Sequence, residues 1–265
     1  MDHTFPGEHW EAIPPEDAGF SPDKLAAAGS WLNDLAGDKT YQVAVSRNGR
    51  LVGEWYQGTD PDESHRQASA AKSYYSSMLG VAVADGKIGS PDDKVVDHHP
   101  ELIEEKIRNP IRGKWGYKYS NFKLHPEARL NIFGYYTQIY STARDLLRIG
   151  HLWMNWGNWQ GEQVIPEAYL KEATVTNSFI LENEPEENWK YGHGFWVNDH
   201  GKQWPDLPTD SFAASGAGAK HTWVCPPLGI VVVQNPGLWD QFKDDEEKKV
   251  GSQNEVISRI INALE

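Results

Sequence analysis

The chain contains 265 residues, of which 39% are hydrophobic and 24% are charged. These values exclude an intrinsically disordered chain and predict one folded core, alone or with a small additional lobe. A formal net charge of −13 argues against a nucleic-acid partner and against binding to an anionic membrane surface, because both are bound through Lys and Arg.

The single cysteine and the N-terminus limit the chemistry and the location that the sequence allows. Cys225 has no partner for an internal disulfide or a Cys-based zinc site, and its strand-like surroundings predict a buried, unreactive thiol. Residues 1–6 lack the basic stretch and apolar run of a signal peptide, and no segment approaches the roughly 20 apolar residues of a membrane span. We therefore expect a cytoplasmic protein with no membrane partner, although a mature secreted form would look the same. A homodimer is one alternative for its oligomeric state.

The first predicted elements are a capped helix and a hairpin. Ser21, followed by Pro22, has the residue types of a helix N-cap and a first helical position, and apolar residues then recur on one face. Farther along, an Asn-Gly pair lies between two strand-like runs, 41–46 and 51–56, which is a strong hairpin signal.

A second helix is predicted from Ser69 to Ala84. Its residues are apolar on nearly every side, which is typical of a helix buried in the middle of a protein, and Asp85-Gly86 ends it. Residues 85–140 are rich in Pro, Gly and charged residues, and they predict a small irregular lobe.

The remaining elements complete an α+β fold. Helices are predicted from Thr142, from Pro166 and over 252–264, and strands are predicted over 191–197, 221–225 and 230–234. Two early strands and three late strands, with helices at both ends, indicate one antiparallel sheet built from both chain ends and flanked by helices. The sheet domain would comprise residues 1–97 and 140–265, and residues 98–139 would form a reduced inserted helical or irregular lobe.

The motif Ser-x-x-Lys occurs three times, starting at Ser21, Ser69 and Ser120, so its context must decide which copy carries chemistry. The first copy is a surface helix N-cap, and the third has no clear helix around it. The second begins the predicted buried helix, where residues i and i+3 share a face, so that the Lys72 nitrogen can reach the Ser69 oxygen.

This second pair suits nucleophilic catalysis. A Ser hydroxyl needs a base to remove its proton, and a Lys becomes such a base when burial and a helix N-terminus lower its pKa. The alternative is that Ser69 merely caps the helix while Lys72 extends into solvent. The residues alone leave these two interpretations even.

The surrounding sequence resembles the beta-lactamase-related serine hydrolases. Ser69-Ala-Ala-Lys72 and the stretch from Gly80 to Ile88 are similar to the nucleophile helix of that superfamily. It includes class C beta-lactamases, D-alanyl-D-alanine carboxypeptidases, family VIII esterases and 6-aminohexanoate-dimer hydrolases. Other segments agree in order: residues 42–56 with the opening hairpin, 141–146 and 159–166 with the middle helix and loop, and 191–195 and 214–218 with the late strands. The resemblance covers most of the chain and implies that fold and an acyl-transfer activity.

The resemblance also assigns a role to Ala214-Ser215-Gly216. This segment matches the family's Lys- or His-(Ser/Thr)-Gly motif on the strand facing the nucleophile, but the charged first residue is replaced by Ala214. Loss of that cation disfavours a beta-lactamase or carboxypeptidase and favours carboxylic esters or short linear amides. The family implies an oxyanion hole formed by the backbone N–H groups of Ser69 and Ala217. Its glycines would let substrate approach the strand, and the alternative for Gly216 and Gly218 is a Gly-rich turn without such a role.

The family's third catalytic residue is a tyrosine in a Tyr-x-Asn motif on the inserted lobe, where it shares proton transfer with the Lys. Tyr119 begins such a triplet. However, residues 102–113 resemble a segment that normally follows the tyrosine, and the interval from Lys72 to Ser141 is shorter than the family's. The lobe is therefore predicted to be truncated. Tyr119 is either the catalytic tyrosine or an aromatic residue that packs over the cleft.

We expect no metal ion and no cofactor. His98 and His99 are adjacent and point apart, the other histidines lack ligand spacing, and the chain has no Gly-rich phosphate loop.

The predicted function is a serine hydrolase that forms an acyl-enzyme with a small-molecule ester or amide. One alternative is a catalytically impaired relative acting as a binding or scaffold protein, which the missing cation and the short lobe favour. Another is carbohydrate binding, for which the sole support is the high content of twelve Trp residues.

Overall fold

A computed structural model describes residues 3–93, 139–238, 242 and 244–265. Nearly all of the predicted inserted lobe, including Tyr119, lies outside these residues, so the lobe and its boundaries stay predictions.

The described part of the chain contains seven α-helices and ten strands. The helices are α1 (Pro22–Ala36), α2 (Ala71–Ala84), α3 (Ala143–Met154), α4 (Glu167–Ala173), α5 (Ser178–Asn183), α6 (Glu246–Val250) and α7 (Val256–Ile261). The strands are β1 (Tyr41–Arg47), β2 (Arg50–Gln57), β3 (His65–Arg66), β4 (Tyr140–Ser141), β5 (Asn158–Trp159), β6 (Glu162–Gln163), β7 (Trp196–Val197), β8 (Phe212–Gly216), β9 (Lys220–Cys225) and β10 (Ile230–Gln234). None of the helices in these ranges combines the length and the apolar character that crossing a bilayer requires.

Six strands form one antiparallel sheet in the order β2-β1-β10-β9-β8-β7. The first strand of the chain pairs with the last, from Val43 opposite Gln234 to Arg47 opposite Ile230. This pairing joins the two chain ends and confirms the predicted α+β fold with a helix-flanked antiparallel sheet.

Each face of the sheet buries its own apolar cluster. On one face, Trp223 and Val232 pack with α1 and α7, and on the other, Val224 and Val231 pack with α2 and α3. The alternation follows because successive side chains of a strand point to opposite faces. The central strands are therefore covered on both sides, and α2 is held against the face that adjoins β8.

The local signals at two helix starts and at the hairpin are confirmed. The side chains of Ser21 and Thr142 each accept a hydrogen bond from the backbone N–H three residues farther on, at 3.5 and 3.0 Å. In the hairpin turn, Asn48 and Gly49 have φ values of 50° and 86°. This left-handed conformation is the one that Asn and Gly tolerate best.

Two predicted elements have different bounds. The strand predicted over 191–197 is reduced to β7, because the chain turns at Gly194 with a φ of 87°, leaving one isolated bridge between Tyr191 and Trp196. The closing helix starts at α6 and passes through a π-helical turn, Gly251–Glu255, before α7. The start could not be predicted from the sequence, because α6 is charged and has no apolar periodicity.

Helix α2 is less completely buried than its composition predicts. Ser73 and Ser77 point inward, where the Ser73 hydroxyl donates to the Gly194 carbonyl at 2.7 Å and Ser77 accepts from the Trp153 indole at 2.9 Å. Met78, in contrast, is 65% exposed. The prediction of a helix buried in the middle of the protein therefore holds for one face only, and hydroxyls form much of that face.

The N-terminal arm packs on α3 through an aromatic cluster. His151 is fully buried, stacks on His3 with ring centroids 4.9 Å apart, and contacts the edges of Phe5 and Trp159. Burial, reinforced by the neighbouring His3, lowers the pKa of His151 to about 4.

Acidification from pH 7 to pH 5 is expected to remove about 2 kcal/mol of unfolding free energy through His151. The imidazole has a pKa near 6.5 in the unfolded chain and becomes protonated there as the pH falls through this range, whereas in the folded chain it stays neutral until about pH 4. Stability that is present above pH 6.5 is therefore lost as the pH falls. Urea unfolding at both pH values measures the loss of unfolding free energy. In His151→Phe, the part of this loss that comes from His151 should be absent. An equal loss in both proteins would contradict the assignment.

Candidate active site

Ser69 lies in a tight turn that leads into α2. The turn is a 3₁₀ helix, Ala68–Ala70, and Ala68 has a φ of 49°, a left-handed conformation that costs an L-residue about 1 kcal/mol or more. Neither this turn nor α2 has a side-chain cap, and the N-cap residue of α2 is Ala70. The alternative in which Ser69 merely caps the helix is therefore wrong.

Lys72 lies in the first turn of α2, three residues after Ser69. Its side chain is half-buried, and burial lowers the pKa of its ammonium group below the ordinary value of 10.5. Because burial removes water from the charged form, it makes the neutral amine easier to reach. Lys72 thus has the direction of pKa shift that a general base requires.

A cleft of about 600 Å³ brings together the predicted site residues that the structure describes. Its lining residues are Ser69, Lys72, Tyr191, Trp196, Ser215, Gly216, Ala217 and Gln253. Four segments that are separate in sequence therefore meet at one surface. The lining includes all five predicted site residues that the structure describes, namely Ser69, Lys72, Ser215, Gly216 and Ala217.

The end of β8 packs directly on the backbone of the Ser69 turn. A Cβ atom at Gly216 would lie 2.6 Å from the Ala70 nitrogen, 2.7 Å from the Gln67 oxygen and 3.0 Å from the Ser69 nitrogen. These distances are too short for any side chain other than hydrogen. Gly216 therefore admits the turn that carries Ser69, and the role predicted for it in substrate approach stays a prediction.

The cleft wall formed by β8 has no cation at the first position of the matched motif. Ala214 is fully buried and points toward α2 and α3. The nearest cation along the chain, Lys220, donates to the Ala217 carbonyl at 3.0 Å, which fixes the turn between β8 and β9. Among the described residues that line the cleft, Lys72 is the one charged side chain.

Three lining residues were missed as site residues by the sequence analysis: Tyr191, Trp196 and Gln253. Tyr191 and Trp196 meet edge to face with ring centroids 5.2 Å apart, and burial raises the pKa of Tyr191. A tyrosine and a tryptophan flanking a Gly-rich turn were a usable signal. Gln253 gave none, because only the packing of the π-helical turn brings it to the cleft.

Lys72 also lines a second cavity, of about 450 Å³, together with Tyr75, Tyr169 and His193. Tyr169 and Ser76 share a hydrogen bond of 2.9 Å, and burial raises the pKa of Tyr169. Tyrosines therefore flank Lys72 on both sides, while the role predicted for Tyr119 stays a prediction.

Other chemistry at the described residues is limited. Cys225 is buried, as predicted, and burial raises the pKa of its thiol to about 11, which keeps it protonated and a poor nucleophile. Within the described ranges, no group of three or more His, Cys, Asp or Glu side chains is placed to hold a metal ion.

Comparison with known proteins identifies the fold. No protein-family model and no curated protein sequence matches the chain. Among solved structures, a protein assigned as a 6-aminohexanoate-dimer hydrolase from Bacillus anthracis is 14% identical, with a TM-score of 0.58 over 99% of this chain and 88% of its own. A class C beta-lactamase is 11% identical, with a TM-score of 0.57 over 97% and 99% of the two chains. A penicillin-binding protein homolog from Caulobacter crescentus is 13% identical, with a TM-score of 0.55 over 82% and 92%.

The chain therefore has the fold of the beta-lactamase-related serine hydrolases, in agreement with the resemblance found in its sequence. At 11–14% identity these likenesses define the fold. They do not carry the activity of any one neighbour to this chain.

Replacing Gly216 with Ala should damage the site and the fold together. The added Cβ meets backbone atoms, which cannot move aside as a flexible side chain could, so we expect a loss of about 1–3 kcal/mol in unfolding free energy. Urea unfolding measures this change. Gly7→Ala is a matched control, because a Cβ there meets nothing closer than the His9 oxygen at 3.9 Å. If both variants unfolded like the wild type, the packing of β8 on the Ser69 turn would be wrong.

Proposed function

We propose that the protein is a serine hydrolase in which Ser69 is the nucleophile and Lys72 its general base. The observation that carries the proposal is their shared position in one cleft, one helical turn apart, with β8 packed against the Ser69 turn. A half-buried Lys with a lowered pKa supports its role as the base.

The proposed reaction has two acyl-transfer steps. Lys72 takes the proton of the Ser69 hydroxyl while the oxygen attacks the substrate carbonyl carbon. The backbone N–H groups of Ser69 and Ala217 hold the oxyanion. When the tetrahedral intermediate collapses, the leaving alcohol or amine takes that proton, and an acyl-Ser69 ester remains. Water then attacks this ester, again losing a proton to Lys72, and the returning proton restores the Ser69 hydroxyl.

We propose carboxylic esters or short linear amides as the substrates. Tyr191 and Trp196 offer aromatic surface, and Ser215 offers a hydroxyl at the cleft wall. The side chain at position 214 is a buried methyl group, which cannot anchor a substrate carboxylate. The 6-aminohexanoate-dimer hydrolase assignment of one structural neighbour agrees with a linear amide, although it is a statement about that protein.

Tyr119 completes the proposal as the group that shares proton transfer with Lys72. If the family tyrosine was lost, the chain would be the impaired relative that binds without turnover. Adduct formation at Ser69 separates these two functions.

Ser69→Ala should abolish covalent labelling by a fluorophosphonate and hydrolysis of p-nitrophenyl esters. The reagent gains the Ser69 oxygen on phosphorus and loses fluoride, so one adduct per chain is expected in the wild type by intact mass.

The matched control is Ser21→Ala, which changes the serine of another Ser-x-x-Lys copy. Its hydroxyl caps α1, so this variant should lose about 1 kcal/mol of stability but keep the adduct. Labelling that survives Ser69→Ala would exclude Ser69 as the nucleophile, and a folded wild type that gains no adduct would favour the binding protein.

The rate of fluorophosphonate labelling should rise with pH and level off above the pKa of Lys72, with a midpoint below 10.5. The reason is that the neutral amine is the base and burial favours it. Lys72→Met removes the amine at similar length and should slow labelling by about 10²–10⁴-fold. Lys24→Met, in the copy at Ser21, should leave the rate unchanged. A pH-independent rate, or a Lys72→Met rate near the wild type, would rule out this base.

A further inference from the structure

A row of polar side chains crosses the sheet face that packs against α1 and α7. The register places His221 of β9 opposite both Ser215 of β8 and Gln234 of β10. Directly opposed residues point to the same face, so the three side chains are neighbours across three strands. Two residues along the same face, Ala213 and Trp223 belong to the apolar core, so the polar row lies beside that core at one end of the sheet.

The inner members of this row are deeply buried. His221 is 3% exposed and Gln234 is 1% exposed. Both ring nitrogens of His221 and the side-chain oxygen of Gln234 are enclosed, and they make no hydrogen bond within the described part of the chain. Because buried polar atoms nearly always have partners, this cluster calls for a role beyond packing.

Both ends of the row reach the cleft that holds Ser69. At one end, Ser215 lines the cleft itself. At the other end, the Gln234 amide donates to the Ser252 carbonyl at 2.8 Å, and the next residue, Gln253, lines the cleft. The Gln234 contact therefore falls in the π-helical turn, a feature that is frequent at functional sites.

We propose that His221 is a positioning residue of the cleft. Its neutral imidazole links Ser215 to Gln234 and thereby holds the two wall segments that bear Ser215 and Gln253. Cross-strand neighbours lie about 4.5–5.5 Å apart between Cβ atoms, so one bound water on each side can join the Ser215 hydroxyl and the Gln234 amide to the two ring nitrogens. The inference rests on the proposed function, since the cleft is the proposed site of acylation.

The surroundings keep this imidazole neutral. α1 and α7 cover the face with apolar side chains, and the residues of the π-helical turn before Glu255 are uncharged. Glu255 itself binds Arg259, and Lys220 bonds the Ala217 carbonyl. Burial lowers the pKa of His221 to about 4, so above that pH the ring offers one donor and one acceptor, as a link between two polar groups requires.

The first test compares the rate of fluorophosphonate labelling in three variants. His221→Phe removes both ring nitrogens and should slow fluorophosphonate labelling about tenfold, whereas His221→Gln keeps a donor and an acceptor and should stay within about threefold of the wild type. Trp223→Phe is the matched control. It also removes a buried nitrogen without a hydrogen bond from β9, but its register neighbours are Ala213 and Val232, which do not line the cleft.

A second test measures the interaction between His221 and Ser215 directly, without relying on catalysis. The measurement is an NMR spectrum of full-length protein with ¹⁵N-labelled histidine, in which the ring signals that disappear in His221→Gln belong to His221. These signals should shift in Ser215→Ala. They should stay in place in Trp223→Phe. If the wild type gains no adduct but these shifts occur, the proposed function fails while the link stands. Two outcomes would overturn the positioning role. One is that the ring signals of His221 do not shift in Ser215→Ala. The other is that His221→Phe and Trp223→Phe, both folded, slow labelling equally.

Discussion

The contact between the end of β8 and the turn at Ser69 is the constraint on which the rest of the site depends. Gly216 approaches backbone atoms of the turn so closely that no Cβ fits between them. The contact puts the Ser69 nitrogen beside the strand and holds Ala217 at the cleft. It also accounts for the left-handed φ of Ala68, because a strained turn persists only where its surroundings over-determine it.

That contact in turn needs the whole sheet. β8 is held by β9, β9 by β10, and β10 by β1 from the other end of the chain. The same pairing brings Gln234 under the π-helical turn and so carries Gln253 to the cleft. No local segment contains the site, so its geometry forms only when these long-range pairings form. A change in the sheet far from Ser69 can therefore alter the cleft.

The sequence predicts the parts whose causes are local. The Ser21 cap, the Asn48-Gly49 hairpin and the apolar runs of β9 and β10 each form through neighbours in the chain. β8 was found through family resemblance alone, since Ala and Gly have weak strand propensity. Gln253 could not be found, because it reaches the cleft through tertiary packing. The hydroxyls on the inner face of α2 were not predicted for the same reason: their partners are Trp153 on α3 and the Gly194 carbonyl.

Under the proposed function, the missing cation changes how Lys72 would act as a base. A positive charge at position 214 would lower the pKa of a neighbouring amine by repulsion, in addition to any effect of burial. With Ala214 buried in the core, burial is the cause that lowers the pKa of Lys72. The strength of the base is then tied to how well the cleft excludes water. The walls that close the cleft, including the Tyr191–Trp196 pair and the Gln253 segment, thereby affect the chemistry of Lys72 as well as substrate shape. If the proposed function holds, a cleft of this kind favours an uncharged acyl group, because such a group displaces water without bringing a charge that must be paired.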